Sequence, residues 1–499
     1  MSVVPFPRPK TGVDLLTVDY KHRALFTDFY ELTMTQGYLN THKAHTSATF
    51  ELFFRNNPFK GGYAVVAGIT DAMTFLENLA FTTGDLDFLR GLSLFSEEFL
   101  EYLAVLRFTG EVEGMSDGSL VFPYEPILQI TGELGQLQLV ETALLNIINY
   151  QTLIATKASR ITREAAPGGV LEFGLRRAQG DGGVVGARAA MVGGCVGTSN
   201  TYAGKLFDIP VSGTHAHSWV QSFDEEVEAF RSYAQQFPHR AILLVDTYDT
   251  LKSGVPDAIT VGLEMRERGE ELYGIRIDSG DLAWLSVKAA ELLDEAGLSE
   301  CKIVLSNDLD EHIINSITNE IRSKELDVEF RERTLNRLVY GVGTNLITGG
   351  YQAALGGVFK LVQSNNHPVI KISENSEKTT NPGRKKLWRI KSKGGYWVGD
   401  VMTLYSEDEP QPGQTVYHPL EPSKSYTLGH DIEVDSLHFP LFTQGTSLYS
   451  DGWRKAQERY RSEISSIDSS HLRLLNPHTY KVSLSSQLFE LKRRLIGEH

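Results

Sequence analysis

The sequence predicts an α/β protein built around an irregular (β/α) barrel, with an N-terminal α+β domain before it and a smaller C-terminal domain after it. Three observations carry that expectation. Apolar strand-like runs recur between Val170 and Val362. In the second half of that stretch, amphipathic helical segments separate them at roughly 30-residue spacing, the signature of βα units and a parallel sheet. The runs also end, one after another, in clusters of polar residues and glycine, as strands do when they feed a common rim.

The runs are, in order, Val170–Phe173, Cys195–Val196, Ile209–Val211, Ala241–Val245, Leu272–Ile277, Cys301–Leu305, Leu338–Val342 and Val358–Val362. The third is the end of a short apolar strand, Phe207-Asp208-Ile209-Pro210. Helices are expected over about 251–268, 283–298 and 309–325, where apolar residues return at helical period. About eight strands suit a closed barrel, although the first three units are short and irregular. The expected domains are residues 1–150, 151–365 and 366–499. The first carries the strand-like Thr49–Phe54, the glycine-rich Lys60-Gly61-Gly62, strand-like segments around 119–130 and a core helix over 137–158. The last opens after Lys378–Gly383 with the basic run Arg384-Lys385-Lys386, read as a solvated hairpin because three charges are too few for a nucleic-acid patch.

Composition removes several classes of function. The 499 residues, 41% hydrophobic, can bury more than one core. A net charge of −15 argues against a nucleic-acid binder, whose phosphate-facing surface needs excess cation. The richest apolar stretch, Leu137–Ile154, is interrupted by Glu141, Thr142, Asn146 and Asn149 and reads as a core helix rather than a membrane span. The N-terminus lacks the basic-then-apolar order of a signal peptide. Cys195 and Cys301 both fall in or beside strand-like runs and read as buried thiols, without a disulfide or metal site. A soluble, reduced, cytoplasmic protein is expected.

Taken singly, each strand end has a bland reading: an Asp-Ser-Gly turn with a helix cap, a surface arginine, a tight Gly-Thr turn. Taken together they gather Arg176, Asn200, Thr214, His215, His217, Asp246, Arg276, Asp278, Asp281, Ser306-Asn307-Asp308 and Gly343-Thr344 on one face. Gly356-Gly357 and Lys360 follow. The chemistry implied is phosphate handling without a P-loop, since no G-x-x-x-x-G-K-[ST] occurs. Gly343-Thr344 and Gly356-Gly357 lie where a barrel offers backbone amides to a phosphate. Arg176, Arg276 and Lys360 supply charge, while Asp246, Asp278 and Asp281 can orient a ribose or hold Mg²⁺, directly or through water. Cations and carboxylates together suit a sugar phosphate carrying a metal-bound diphosphate.

The chain resembles the nicotinate phosphoribosyltransferases, a type II phosphoribosyltransferase family, over nearly its whole length. The resemblance is carried by Thr27-Asp28-Phe29-Tyr30-Glu31-Leu32-Thr33-Met34, Phe50–Arg55, Glu172–Gly180, Gly213-Thr214-His215-Ala216-His217-Ser218, Asp246-Thr247-Tyr248, Arg276–Asp281, Gly341–Thr344 and Leu355–Leu361. It implies the family's irregular barrel and a reaction joining nicotinate to 5-phosphoribosyl 1-diphosphate. The products are nicotinate mononucleotide and diphosphate, ATP hydrolysis is coupled to the transfer, and the step opens NAD salvage from nicotinate. Mg²⁺ or Mn²⁺ is the implied metal, with Asp278 and Asp281 beside it, and ATP is a co-substrate. The implied assembly is a homodimer with shared active sites. Carried over by position, His217 is the histidine that ATP phosphorylates, and Thr214 and Arg276 lie by the nicotinate. Tyr30 reaches the pyridine ring from the partner subunit. Arg176 contacts phosphate, Asp246 the ribose side, and Thr344 with its glycines the 5-phosphate. His215 stands where the family's motif usually has an apolar residue.

The expected reaction asks little covalent work of the protein. It must align the pyridine nitrogen with the anomeric carbon and stabilise the departing diphosphate with Mg²⁺ and fixed cations. An arginine can pair with the nicotinate carboxylate and so discriminate against nicotinamide. An ordinary imidazole, with a pKa of about 6.5, offers a neutral nitrogen nucleophile near neutral pH. The alternatives are a sister enzyme acting on nicotinamide or quinolinate, and a catalytically dead relative that binds nucleotide or protein. A Rossmann-like type I phosphoribosyltransferase is disfavoured. After Ala241–Val245 the acids Asp246 and Asp249 are separated, and Leu251-Lys252-Ser253-Gly254 replaces a phosphate loop.

Overall fold

The computed structural model describes residues 23–498. The chain forms two compact units. One comprises Lys157–Ala353; the other comprises the described segments up to Thr156 and from Ala354 onward.

The first unit is the α/β barrel. Its parallel strands are β1 (Gly169–Glu172), β2 (Gly197–Thr198), β3 (Ile242–Leu244), β4 (Gly274–Ile277), β5 (Lys302–Leu305) and β6 (Leu338–Val342). They lie in the order β2-β1-β6-β5-β4-β3. Runs such as Ile303-Val304-Leu305 are buried throughout because helices cover the outer face of the sheet. The helices Val255–Glu267, Leu282–Glu295 and Glu311–Ser323 occupy the three expected helical stretches. In the last, Ile314, Ile317, Thr318 and Ile321 form one buried stripe at helical spacing. Asp310 caps its start by accepting hydrogen bonds from the His312 and Ile313 amides at 2.9 and 2.8 Å. Glu311 is buried between Lys157 (2.5 Å) and Arg160 (2.9 Å), which hold its carboxyl below the usual range against the cost of burial.

Two of the expected barrel strands are absent. Phe207 ends the helix Thr201–Phe207, Asp208 turns it off with a left-handed backbone, and only Val211 remains as an isolated parallel bridge to Thr198 on β2. At the other edge of the sheet, the Leu244 amide of β3 donates to Nε2 of His215 at 3.1 Å. The segment Val211–His215 therefore joins the two edge strands where a regular barrel would have another strand. The run Val358–Val362 is likewise not a barrel strand: Val358–Ser364 pairs antiparallel with Ser47–Phe53 in the other unit. An apolar run does not specify its partner, and here the partner lies some three hundred residues away.

That second unit holds a seven-stranded sheet built from both ends of the chain, and a six-stranded sheet that includes Lys385–Ser392 and Trp397–Leu404. The basic run Arg384-Lys385-Lys386 leads into a hairpin, Lys385–Ser392 with Trp397–Leu404, but it is not solvated. Arg384 lies over the Tyr405 ring and pairs with Glu113 at 2.8 Å. Lys385 is 1% exposed and pairs with Glu51 at 3.0 Å. Burial pushes the Glu51 carboxyl up to about 7 despite that cation. Both cysteines are buried, as expected. No helix among the described residues is long and apolar enough to cross a membrane.

Candidate active site

The strand ends of the barrel unit converge on Arg276, near the end of β4. Its Nε donates to the Ser306 hydroxyl at 2.9 Å and its Nη1 to the Thr214 hydroxyl at 3.0 Å, while Nη2 pairs with Asp278 at 3.1 Å. Ser306 in turn donates to Asp278 at 2.5 Å. Three residues, Ser306, Thr214 and Asp278, thus fix one guanidinium in place. Of its five N–H donors three are engaged among the described residues, which leaves two, the number that one carboxylate accepts in a bidentate pair.

Asp246, just past β3, locks the neighbouring turn. Its Oδ2 accepts from the Asp278 amide at 2.8 Å and from the Ser279 hydroxyl at 2.6 Å. Its Oδ1 is buried and has no hydrogen-bond partner in the described structure. A buried carboxylate oxygen without a donor is costly unless a ligand or water supplies one, and this oxygen belongs to the same cluster as Arg276. Asp281 has a structural use: it caps the helix Leu282–Glu295, accepting from the Trp284 amide at 3.0 Å, with its side chain on the exposed side.

His217 begins the short helix His217–Gln221, and its Nδ1 lies 3.1 Å from the Thr247 hydroxyl. A hydroxyl, not a carboxylate, is therefore its orienting partner. The Nε2 atom is left as the nitrogen able to meet a phosphoryl group. His215, two residues earlier, is 7% exposed. Burial first, then the neighbouring Arg276 and His217, lower its pKa from 6.5 to about 4. Its ring packs edge-on against Tyr233.

On the β1 side, Arg176 sits exposed in the single turn Leu175–Arg177. Gly174 lets that turn form, since a Cβ there would stand 2.5 Å from the Ile347 side chain. The buried Glu172 accepts from the Thr198 hydroxyl at 2.6 Å and from the Gly174 amide, and so ties β1 to β2 beneath Arg176. A Cβ on Gly343 would stand 3.2 Å from the Phe173 carbonyl oxygen, and Gly343 leads into the turn Thr344–Ile347.

Gly356, Gly357, Lys360 and Tyr30 belong to the other unit. Gly356 has φ +76°, and the Gly357 amide donates to Asn149 at 3.0 Å, an approach that a Cβ on Gly357 would block. Lys360 is half-buried, and burial lowers its pKa although Glu141 opposes the shift. Tyr30 lies on the helix Phe29–Asn40 and is half exposed. Burial of the rest of the ring, with Glu141 nearby, raises its hydroxyl to about 12. The adjacent acids serve structure: Glu31 accepts from the Thr142 amide and hydroxyl at 2.9 and 2.6 Å, and Asp28 accepts from the same hydroxyl at 2.9 Å.

The sequence places Ser306 and Thr247 on the rim without giving either a role. Both follow strands directly, so position was the available signal, but a hydroxyl that orients another side chain leaves no pattern of its own.

Known proteins match this chain over most of its length. Residues 25–149 match the nicotinate phosphoribosyltransferase N-terminal domain, residues 169–403 the nicotinate phosphoribosyltransferase family, and residues 384–492 its C-terminal domain. The chain is 43% identical over 483 residues to nicotinate phosphoribosyltransferase of Bacillus subtilis, covering 95% of each. It is 36% identical to the Caenorhabditis elegans enzyme of that name, covering 98% of this chain and 96% of that one. The crystal structure of human nicotinic acid phosphoribosyltransferase superposes with a TM-score of 0.80 at 30% identity, covering 94% of this chain and 99% of the other. Nicotinate-nucleotide pyrophosphorylase from Pyrococcus furiosus shares the fold, with a TM-score of 0.67 at 18% identity over 92% of this chain and 99% of the other. The chain belongs to the nicotinate phosphoribosyltransferase family.

Proposed function

We propose that this chain joins nicotinate to 5-phosphoribosyl 1-diphosphate, releasing nicotinate mononucleotide and diphosphate, with ATP hydrolysis coupled through phosphorylation of His217. The observation that carries the reading is the guanidinium of Arg276. Thr214, Ser306 and Asp278 immobilise it with two donors to spare, a preformed receptor for a planar carboxylate. In this reading the nicotinate carboxylate pairs with Arg276 beside Thr214. The pyridine nitrogen then forms the new bond to the anomeric carbon as the diphosphate leaves, and the enzyme's gain is alignment and charge stabilisation.

Asp246 fits the ribose side, where its unpartnered Oδ1 can accept from a sugar hydroxyl or from metal-bound water. No three acidic, histidine or cysteine side chains converge as a metal cage among the described residues. A Mg²⁺ or Mn²⁺ ion travelling with the diphosphate needs only one or two protein carboxylates, and Asp246, Asp278 and Asp281 are the candidates. When bound, the ion would neutralise charge on the leaving diphosphate. Arg176, Gly343 and Thr344 serve the phosphates, and Tyr30 of the partner subunit stacks on the pyridine in a homodimer. The reading puts the reaction at the entry to NAD salvage from nicotinate, in the cytoplasm, in keeping with two reduced and buried thiols.

The test is product formation. With nicotinate, phosphoribosyl diphosphate and Mg²⁺, nicotinate mononucleotide and diphosphate should appear, faster with ATP than without. H217A should lose acid-labile phosphate on the protein and ATP stimulation while keeping slow ATP-independent transfer. Full ATP stimulation in H217A would move the coupling elsewhere, and no product from the wild-type chain would overturn the reading.

A further inference from the structure

We propose that His215 is a positioning residue: its imidazole stands in for an absent barrel strand and sets both Thr214 and His217 against the sheet. The proposal rests on the functional reading of the Arg276 cluster. The sheet is complete from β2 round to β3 except at one place, spanned by the segment Val211–His215. Backbone pairing fastens that segment on one side, where Val211 bridges Thr198 and the Ser212 amide donates to the Thr198 carbonyl at 3.0 Å. On the other side the fastening passes to a side chain, His215 Nε2, which takes the Leu244 amide at 3.1 Å.

The register makes this fastening specific. Leu244 is the ladder partner of Arg276 across β3 and β4. Arg276 in turn donates to Thr214, the residue before His215. Adjacent residues of one segment thus grip adjacent strands at the same level. Displacing His215 would shift the Thr214 hydroxyl from the guanidinium and His217 from Thr247. An acceptor at Nε2 requires that the ring proton sit on Nδ1, which faces the Ala216 carbonyl at 3.4 Å. Phe230 and Tyr233 wall the ring on the side of the helix Glu226–Gln236, and Arg276 and His217 are its charged or titratable neighbours. The same occupancy leaves His215 without a free nitrogen for phosphoryl transfer, which separates its role from that of His217.

Two variants separate an acceptor from a mere space-filler. H215Q can present an oxygen near the position of Nε2, whereas H215F keeps a ring between Phe230 and Tyr233 but offers no acceptor. Each would be compared with wild type by thermal melting, by hydrogen exchange of a peptide containing Leu244, and by kcat and KM for nicotinate and for phosphoribosyl diphosphate. The Leu244 amide should be protected in wild type and H215Q and exchange faster in H215F. H215F should lose roughly tenfold or more in kcat/KM, chiefly through KM for nicotinate, while H215Q stays within roughly threefold of wild type. The proposal is overturned if all three proteins protect Leu244 alike, if H215F matches wild-type kinetics, or if H215Q is as impaired as H215F. Absence of turnover in the wild type would instead count against the functional reading, and the exchange measurement would still decide the fastening.

Discussion

Arg276 spends three donors on its own protein, and that outlay fixes the orientation of the other two. Ser306 is the joint of the arrangement, because one hydroxyl accepts from Arg276 and donates to Asp278. S306A should therefore lower kcat/KM for nicotinate by roughly tenfold and, because Ser306 is buried, cost on the order of 1 kcal/mol of stability, the effect expected when a charge-assisted hydrogen bond is removed. Steady-state kinetics alongside a melting curve check this, and an unchanged kcat/KM would show that Thr214 and Asp278 suffice. His215 gives a prediction in pH. Its folded pKa, about 4, lies below the ordinary 6.5, so the unfolded chain binds more protons between those values. The stability it contributes is complete above pH 6.5 and is lost as pH falls towards 4. The difference in melting temperature between wild type and H215Q should narrow or reverse over that interval, and a constant difference would show that the ring does not titrate in this way.

Helix caps and strand ends compete for the same residues, and Asp281 illustrates the conflict. Read from sequence it is an acid on a phosphate-binding rim; in the structure it caps Leu282–Glu295. D281A should cost about 1 kcal/mol of stability and D281S should restore most of it. If D281S also restores full activity, the carboxylate is a cap alone; if stability returns without activity, it serves the metal–diphosphate side as well. The elements legible in the sequence were those with a local cause. The three long helices of the barrel unit show apolar residues at helical period, and β3 to β6 are largely apolar runs between turn signals, broken by Arg276 in β4. What escaped was decided by remote partners. Val358–Ser364 has the composition of a barrel strand but finds Ser47–Phe53. Lys385 sits in a basic run yet is buried because Glu51 comes to meet it. The gap at Val211–His215 could not be seen without the Leu244 amide that fills it.

Across the full chain, both ends of the sequence build one unit while the middle builds the barrel. The Arg276 cluster and Tyr30 thus belong to different units, and the proposed homodimer supplies Tyr30 across the subunit boundary. Mixing tests this. Y30A and R276A should each be nearly inactive alone. When their subunits are exchanged at equal amounts, half the dimers are mixed and each mixed dimer has one intact site, so about a quarter of wild-type activity should return. No recovery after demonstrated subunit exchange would place Tyr30 outside the partner's site.

The most direct measurement compares nicotinate with nicotinamide as acceptors for phosphoribosyl diphosphate under identical conditions. The two differ at the group that Arg276 is proposed to read. The account predicts a kcat/KM for nicotinate higher by roughly a hundredfold or more, the scale of a lost bidentate charge pair, with most of that preference gone in R276K. Turnover of nicotinamide equal to or above that of nicotinate would contradict it.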